Sequence, residues 1–287
     1  MVPDHRAAKG ATRRGRCKIG RVGDAWWWPT SAGELLHLQS RLAAAVEPAL
    51  ADERWEPSGP GDLLGGCFVV PARGTVGRGR AGDRVWAAAV AWRWPEAGPE
   101  VPRRSDLHLR GPAPAPGRPR RADDVVDQAT LSAEAPGSYE PGLLALRDGA
   151  VLADVLGMLE FRPDVVVVDA TGTDHPRGAG LAVHLGAVTG LATVGVTRRP
   201  LVASGSRPEL RRGASSPLLL HDRCVAYWVC TRDGVQPLVA HAGWRTSPED
   251  ARRVALGAST PGARTPVPLE EARRVAREAR SNAAAED

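Results

Sequence analysis

Four consecutive valines, Val165 to Val168, run straight into a carboxylate, Asp169, and the loop that follows carries Thr171, Asp174, His175 and Arg177. An unbroken apolar run between turn signals reads as a strand buried on both faces, parallel and central in its sheet. Asp169 at the C-terminal end of that strand puts a charge at the sheet edge, where open α/β folds keep their sites. A simple turn cap would account for Asp169 by itself. It would not account for a hydroxyl, a second acid, an imidazole and a guanidinium within the next eight residues. Polar residues gathered on a loop after a buried strand favour a site.

The elements that must hold this loop can be read on either side of it. Gly178 to Leu191 has helical spacing (Leu181, Leu185, Val188), and Gly180 and Gly186 allow its backbone close to the sheet. His184 falls inside that helix and reads as a packed, hydrogen-bonded residue rather than a ligand. Ala192 to Thr197 is the next short buried strand, and it ends on Arg198 and Arg199. Upstream, Ser31 to Pro48 is a helix opened by a Ser31/Glu34 capping box, with Leu35, Leu38, Leu42 and Val46 on one face. Leu63 to Val70 and Val85 to Trp94 read as strands joined across a Gly-rich turn at 74–82. Val125 to Leu131 is a further short strand, and Pro141 to Glu160 is the helix that feeds the central strand. Downstream, Leu218 to His241 holds two or three strands with Asp233-Gly234 as a hairpin turn. Ser247 caps a helix with Pro248 in its first position, and Leu269 to Ala285 is a closing amphipathic helix. Strands followed by alternating helix and strand predict an α/β fold, a mixed sheet with flanking helices.

Length and composition narrow the class. The 287 residues suffice for one large domain, and nothing in the pattern requires a split. The expected organisation is a disordered basic extension over 1–30, then a single domain over 31–287. A Pro/Arg-rich flexible insertion interrupts that domain at 95–122. Trp26-Trp27-Trp28-Pro29 reads as a hydrophobic fragment folding back on the domain. The net charge of +5 is almost all arginine, with Lys only at positions 9 and 18. That charge permits nucleic-acid binding without demanding it, because a composition rich in Ala, Gly, Pro and Arg brings it along anyway. Four cysteines show neither Cys-x-x-Cys nor zinc spacing and read as reduced thiols. No apolar run approaches the ~18 residues of a membrane span, and no signal core follows the N-terminus. The expectation is a cytoplasmic monomer with no membrane partner.

Two stretches also resemble a known family. Asp169 to Gly186, DATGTDHPRGAGLAVHLG, is similar to the core motif of endonuclease V, the nuclease family that nicks nucleic acid beside deaminated purines. That motif runs Asp-Gly-His-Gly, then His-Pro-Arg, then Gly-Leu-Ala-x-His-Leu-Gly. Asp169, Gly172, His175-Pro176-Arg177, Gly180-Leu181-Ala182 and His184-Leu185-Gly186 match it. Ser138 to Asp148, SYEPGLLALRD, resembles the family's Tyr-Ile-Pro-Gly-Leu-Leu-Ala-Phe-Arg-Glu block. Order and spacing fit, and a looser likeness extends from about Ala32 to Arg280.

The resemblance implies a ribonuclease H-like fold and metal-dependent nicking of DNA or RNA near deaminated purines such as inosine, with Mg²⁺ or Mn²⁺ as cofactor. Such hydrolysis needs carboxylates that converge on one or two ions. By resemblance Asp169 is one and Asp148 another, a methylene shorter than the family's Glu. Where the family has an Asp on the first strand, this chain has Phe68 or, with a one-residue slip, Cys67. Asp174, Glu140 and Asp62 are the acids that could stand in. The resemblance places His175 beside the scissile phosphate, with Arg177 and Arg198 on the nucleic acid. Tyr139, Pro141 and Gly142 form a wedge, and Gly142, Leu144, Gly180 and Leu181 line a pocket for the displaced base. The alternative is a catalytically weakened or inactive relative that binds nucleic acid without cleaving it.

Overall fold

The computed structural model describes residues 26–75, 79–95, 124–260 and 262–286. The extension before Trp26 and residues 96–122 of the expected insertion lie outside these. The elements are α1 (Ala32–Glu53), β1 (Leu63–Pro71), β2 (Arg84–Arg93), β3 (Val125–Glu134), α2 (Leu144–Leu156), β4 (Val165–Val168) and α3 (Leu181–Thr189). There follow β5 (Ala192–Thr197), β6 (Ser215–Leu220), β7 (Arg223–Val229), β8 (Leu238–Ala242), α4 (Pro248–Gly257) and α5 (Val267–Glu286).

The eight strands form one mixed sheet in the order β3-β2-β1-β4-β5-β8-β7-β6. Its centre is the parallel trio β1-β4-β5, and antiparallel strands extend it on both sides. The four valines of β4 are all buried, as a strand covered on both faces requires. On one face α2 and α3 close a core around Val166, Val168, Leu152 and Leu185. On the other, α4 and α5 cover Val165, Val167 and Val194 with Val254 and Leu269. The chain thus has the ribonuclease H-like α/β layering that the resemblance implies. No described helix is long and apolar enough to cross a membrane.

Local signals explain most boundaries. The Ser31 hydroxyl accepts the Glu34 N–H at 3.2 Å, but Glu34 bonds back to Thr30 rather than to Ser31. The helix runs through Pro48 to Glu53, farther than expected. Pro48 sits on the exposed side, where water can satisfy the carbonyl that loses its donor. Ser247 and Asp250 make a full capping box at α4. The tight hairpin lies at His221-Asp222, whose φ values of 49° and 60° suit a primed turn, between β6 and β7. Asp233-Gly234, expected as a hairpin turn, lies at the centre of a turn in the longer connection between the antiparallel β7 and β8, where the Val235 N–H donates to the Arg232 carbonyl at 3.4 Å.

The tryptophan fragment does fold back. Trp28 stacks on His184 with ring centroids 4.4 Å apart and fills the space beside Gly149 on α2. The His184 Nε2 reaches the Trp27 carbonyl at 2.9 Å, so this histidine is a packing residue, as its position in α3 suggests.

At Gly66 of β1 the first turn of α5 comes so near that a Cβ there would overlap the Pro268 carbonyl. That contact lays α5 along β1 and β2 and carries Arg273, about one and a half turns further on, to the end of β1. Gly66→Ala should therefore lower unfolding free energy by about 3 kcal/mol through overpacking, read as a drop in urea midpoint at unchanged slope.

Candidate active site

Asp169 leaves β4 at the C-terminal edge of the parallel trio. Its Oδ2 accepts a hydrogen bond from Arg273 Nη2 at 2.6 Å, and the same guanidinium lies over the Phe68 ring, 4.9 Å from its centroid. A guanidinium is suited to both tasks at once, because its face stacks on an aromatic ring while its edge donates to a carboxylate. Register decides between the two residues considered for the first-strand position. Cys67 pairs with Val168 and is fully buried in the α2/α3 core, where burial pushes its thiol well up. Phe68, the next residue, packs on the α5 face and shares Arg273 with Asp169.

Asp148 approaches from α2 and is close enough for its charge to couple with Asp169. Burial raises its carboxyl most; the Arg147 guanidinium, 3.5 Å away, pulls it back, and Asp169 raises it again, leaving it at about 6. The Asp148–Asp169 pair therefore has one carboxyl poised near neutral pH, with Arg147 beside Asp148 and Arg273 on Asp169.

The acids considered as substitutes do not reach this pair. Asp174 is fully buried and accepts the N–H groups of Leu201, Val202 and Ala203 at 2.7–2.9 Å, with His241 at 3.5 Å. Its oxygens are spent on pinning the 201–203 segment. Asp62 accepts the N–H groups of Ser58 and Gly59 at 2.8 and 3.0 Å, closing the turn before β1. Glu140 is exposed. Among the described residues no three His, Cys, Asp or Glu side chains gather where they could hold a metal ion.

His175 and Arg177 turn inward. The Gly142 carbonyl accepts from Arg177 Nη2 at 3.0 Å, from His175 Nε2 at 3.2 Å and from Gln39 Nε2 at 3.2 Å. Arg177 also donates to Gln39 Oε1 at 2.6 Å, and its backbone N–H donates to His175 Nδ1 at 3.3 Å. Burial, with Arg177 adding to it, lowers the His175 imidazole to about 4, so it is neutral at neutral pH with both nitrogens engaged. Where the resemblance set His175 and Arg177 against a phosphate, the structure turns them to hold one carbonyl of the Tyr139–Gly142 turn. Gly142 itself has φ +80°, which a side chain would strain.

The residues expected around a base divide. Tyr139 is half-buried and anchored through its N–H to the Gly79 carbonyl at 3.2 Å, and Pro141 is exposed beside it. Leu144 is partly buried at the start of α2. Leu181 is core, 3% exposed, and Gly180 is pressed against the Thr171 carbonyl at the start of α3.

Arg198, exposed at the end of β5, joins Asp169 in lining a small cavity whose other walls include Arg264, Thr265 and Arg273. Arg264 and Arg273 were not among the residues singled out from the sequence. Arg264 follows a turn with no periodicity. Arg273 was legible in principle, since it lies four residues after the buried Leu269, on the same side of α5.

A family model described as Endonuclease V matches residues 120–274, more than half of the chain. The endonuclease V of Streptomyces coelicolor is 39% identical over 160 residues, which cover 56% of this chain and 68% of that one. The endonuclease V of Roseiflexus castenholzii is 28% identical over 233 residues, 81% of this chain and 86% of its own. Among solved structures, the endonuclease V of Streptomyces avermitilis is similar with a TM-score of 0.69 at 30% identity, covering 90% of this chain and 96% of that one. The endonuclease V of Ciona intestinalis, solved in complex with a 24mer DNA containing an inosine followed by a ribo-adenosine, shares the fold at 18% identity. Its TM-score is 0.65 over 87% of this chain and 97% of that one.

The raised Asp148 carboxyl has a stability signature. Between its ordinary value of 3.8 and about 6 the folded chain binds the proton that the unfolded chain has released, so this group's contribution falls as pH rises through that window. Asp148→Asn should stabilise the fold at pH 7.5 by about 2–3 kcal/mol and give no gain below pH ~3.5, checked by urea unfolding at both pH values.

Proposed function

The chain belongs to the endonuclease V family, and on that premise we propose that it is a metal-dependent endonuclease of nucleic-acid repair that nicks DNA or RNA beside deaminated purines such as inosine. The observation that carries this reading is the pair Asp148 and Asp169, two charge-coupled carboxylates from different elements at the edge of the parallel trio. Two hard oxygen donors suit one Mg²⁺ or Mn²⁺, which takes few protein ligands and keeps several waters. They do not suit a pair of ions, because Phe68 and Arg273 stand on the side where a third acid would have to be. When bound, such an ion supplies Lewis-acid stabilisation of phosphoryl oxygens and a more acidic water.

The chain's own residues do the rest of the work. Asp148 must be ionised to share in holding a cation, so protons compete with the cation for this raised carboxyl, and acidification should raise the metal concentration that cleavage needs. Arg198 offers a guanidinium fork to a backbone phosphate. Tyr139 and Pro141 form the wedge that enters the stack, and base extrusion requires such an insert. His175 and Arg177 position this wedge through the Gly142 carbonyl. Leu144 faces the displaced base, while Gly180 and Leu181 back it from the core. We extend the reading to a cytoplasmic monomer whose residues 31–287 act as one domain.

A second reading has a specific observation in its favour. Arg273 already neutralises Asp169 and covers Phe68, an arrangement that suits a weakened catalyst which retains nucleic-acid binding. A nicking assay on inosine-containing DNA and RNA with Mg²⁺ and with Mn²⁺ separates the two. The endonuclease reading expects nicking that Asp169→Ala lowers by about 10²- to 10³-fold. Binding without nicking in either metal would leave the second reading in its place.

A further inference from the structure

The cavity beside Asp169 carries more positive charge than one carboxylate can answer. Arg198, Arg264 and Arg273 all line it, and Asp169 is the single acid on its walls. The cavity measures about 50 Å³. That is room for a small polyatomic group rather than a base, given that one water needs ~10–15 Å³ on this measure. Asp169 is already engaged by Arg273. Arg264 donates through Nη2 to the Pro237 carbonyl at 2.9 Å, but its Nε is buried without a partner. A buried guanidinium N–H left unpaired is costly, and the Arg198 charge adds to the cost of keeping Arg264 ionised there. The Thr265 hydroxyl, 3.5 Å from Arg273 Nη1, adds a neutral donor to the same wall.

We propose that Arg264 and Arg273 join Arg198 in a subsite for one backbone phosphate of the nucleic acid, so that this chain captures phosphate without a divalent ion. The proposal rests on the nucleic-acid reading above and deepens it. A tetrahedral anion answers each feature of the cavity. It offers oxygens to the Arg198, Arg264 and Arg273 side chains around it, it relieves the Arg198–Arg264 repulsion, and its shape matches guanidinium forks. Arg273 stacks on Phe68, one of the two residues considered for the first-strand position. The chain thus sets a fixed cation there.

The test is fluorescence anisotropy of the full chain on a labelled inosine-containing DNA duplex, in EDTA, over a range of salt. The variants are Arg198→Gln, Arg264→Gln, Arg264→Lys and Arg273→Gln, with Arg211→Gln as a control on the exposed β6 side. Wild type should bind in EDTA. Each glutamine variant at the cavity should weaken binding about tenfold and lower the log–log salt slope by about 0.9, the signature of one lost phosphate contact. Arg264→Lys should restore the slope, and Arg211→Gln should leave both quantities unchanged. Arg273→Gln also removes an ion pair from α5, so Arg198→Gln and Arg264→Gln decide the matter if it fails to fold. Wild-type slopes in these two, with binding intact, overturn the subsite and leave the nuclease reading standing. Absence of wild-type binding in EDTA, with binding restored by Mn²⁺, overturns the subsite alone, and absence of binding to DNA and to an inosine-containing RNA with Mn²⁺ present overturns both.

Discussion

Much of the site is organised by which cation stands beside the carboxylate at the end of the central strand. Asp169 leaves four buried valines with its side chain 39% exposed, so water and a neighbouring cation share in meeting its charge. Arg273 is that cation. That arginine arrives because α5 can approach β1 at Gly66 closely enough to lie flat on the sheet. A cation on a helix is fixed in number and place, whereas a bound ion comes and goes with concentration. Arg273 supplies Asp169 with such a fixed charge, and Phe68 gives that charge an apolar bed.

A second constraint works through a single carbonyl. Three polar side chains from two separate segments converge on the Gly142 oxygen, Gln39 and His175 buried and Arg177 half-buried. One well-satisfied acceptor thereby ties α1, the loop after β4 and the turn before α2 into one unit. Such a network rigidifies the turn bearing Tyr139 and Pro141, and it calls for a neutral imidazole, whose Nδ1 accepts the Arg177 N–H while Nε2 donates to the Gly142 carbonyl. His175 and Arg177 act on whatever meets that turn by holding it still.

The fold was largely legible because local signals and burial agreed. The four-valine strand, Ala192–Thr197, the Ser31 and Ser247 caps and the tryptophan fold-back could each be read from neighbours in sequence. The site was legible only in its motif residues. Asp174 looked free for chemistry because its partners, the N–H groups of residues 201–203, lie almost thirty positions on. His175 and Arg177 looked outward because Gly142 is remote in sequence. Arg273 was hidden among similar arginines on α5, where helical phase alone distinguishes an inward side chain from a solvated one. His221-Asp222 escaped notice because neither residue is the glycine that a positive φ usually announces. In each case the missing information was a contact made across the fold.

The tryptophan fragment has a consequence of a different kind. Trp28 occupies the space beside Gly149, the residue next to Asp148, and stacks on His184 from the motif helix. The Trp26–Trp28 fragment is thus a keystone pressed between α2 and α3, although it lies far from the sheet edge in sequence. Any trimming of the N-terminus by a protease that reached residue 30 would pull that keystone out. The placement of the helix that carries Asp148 therefore depends on a fragment far earlier in the chain.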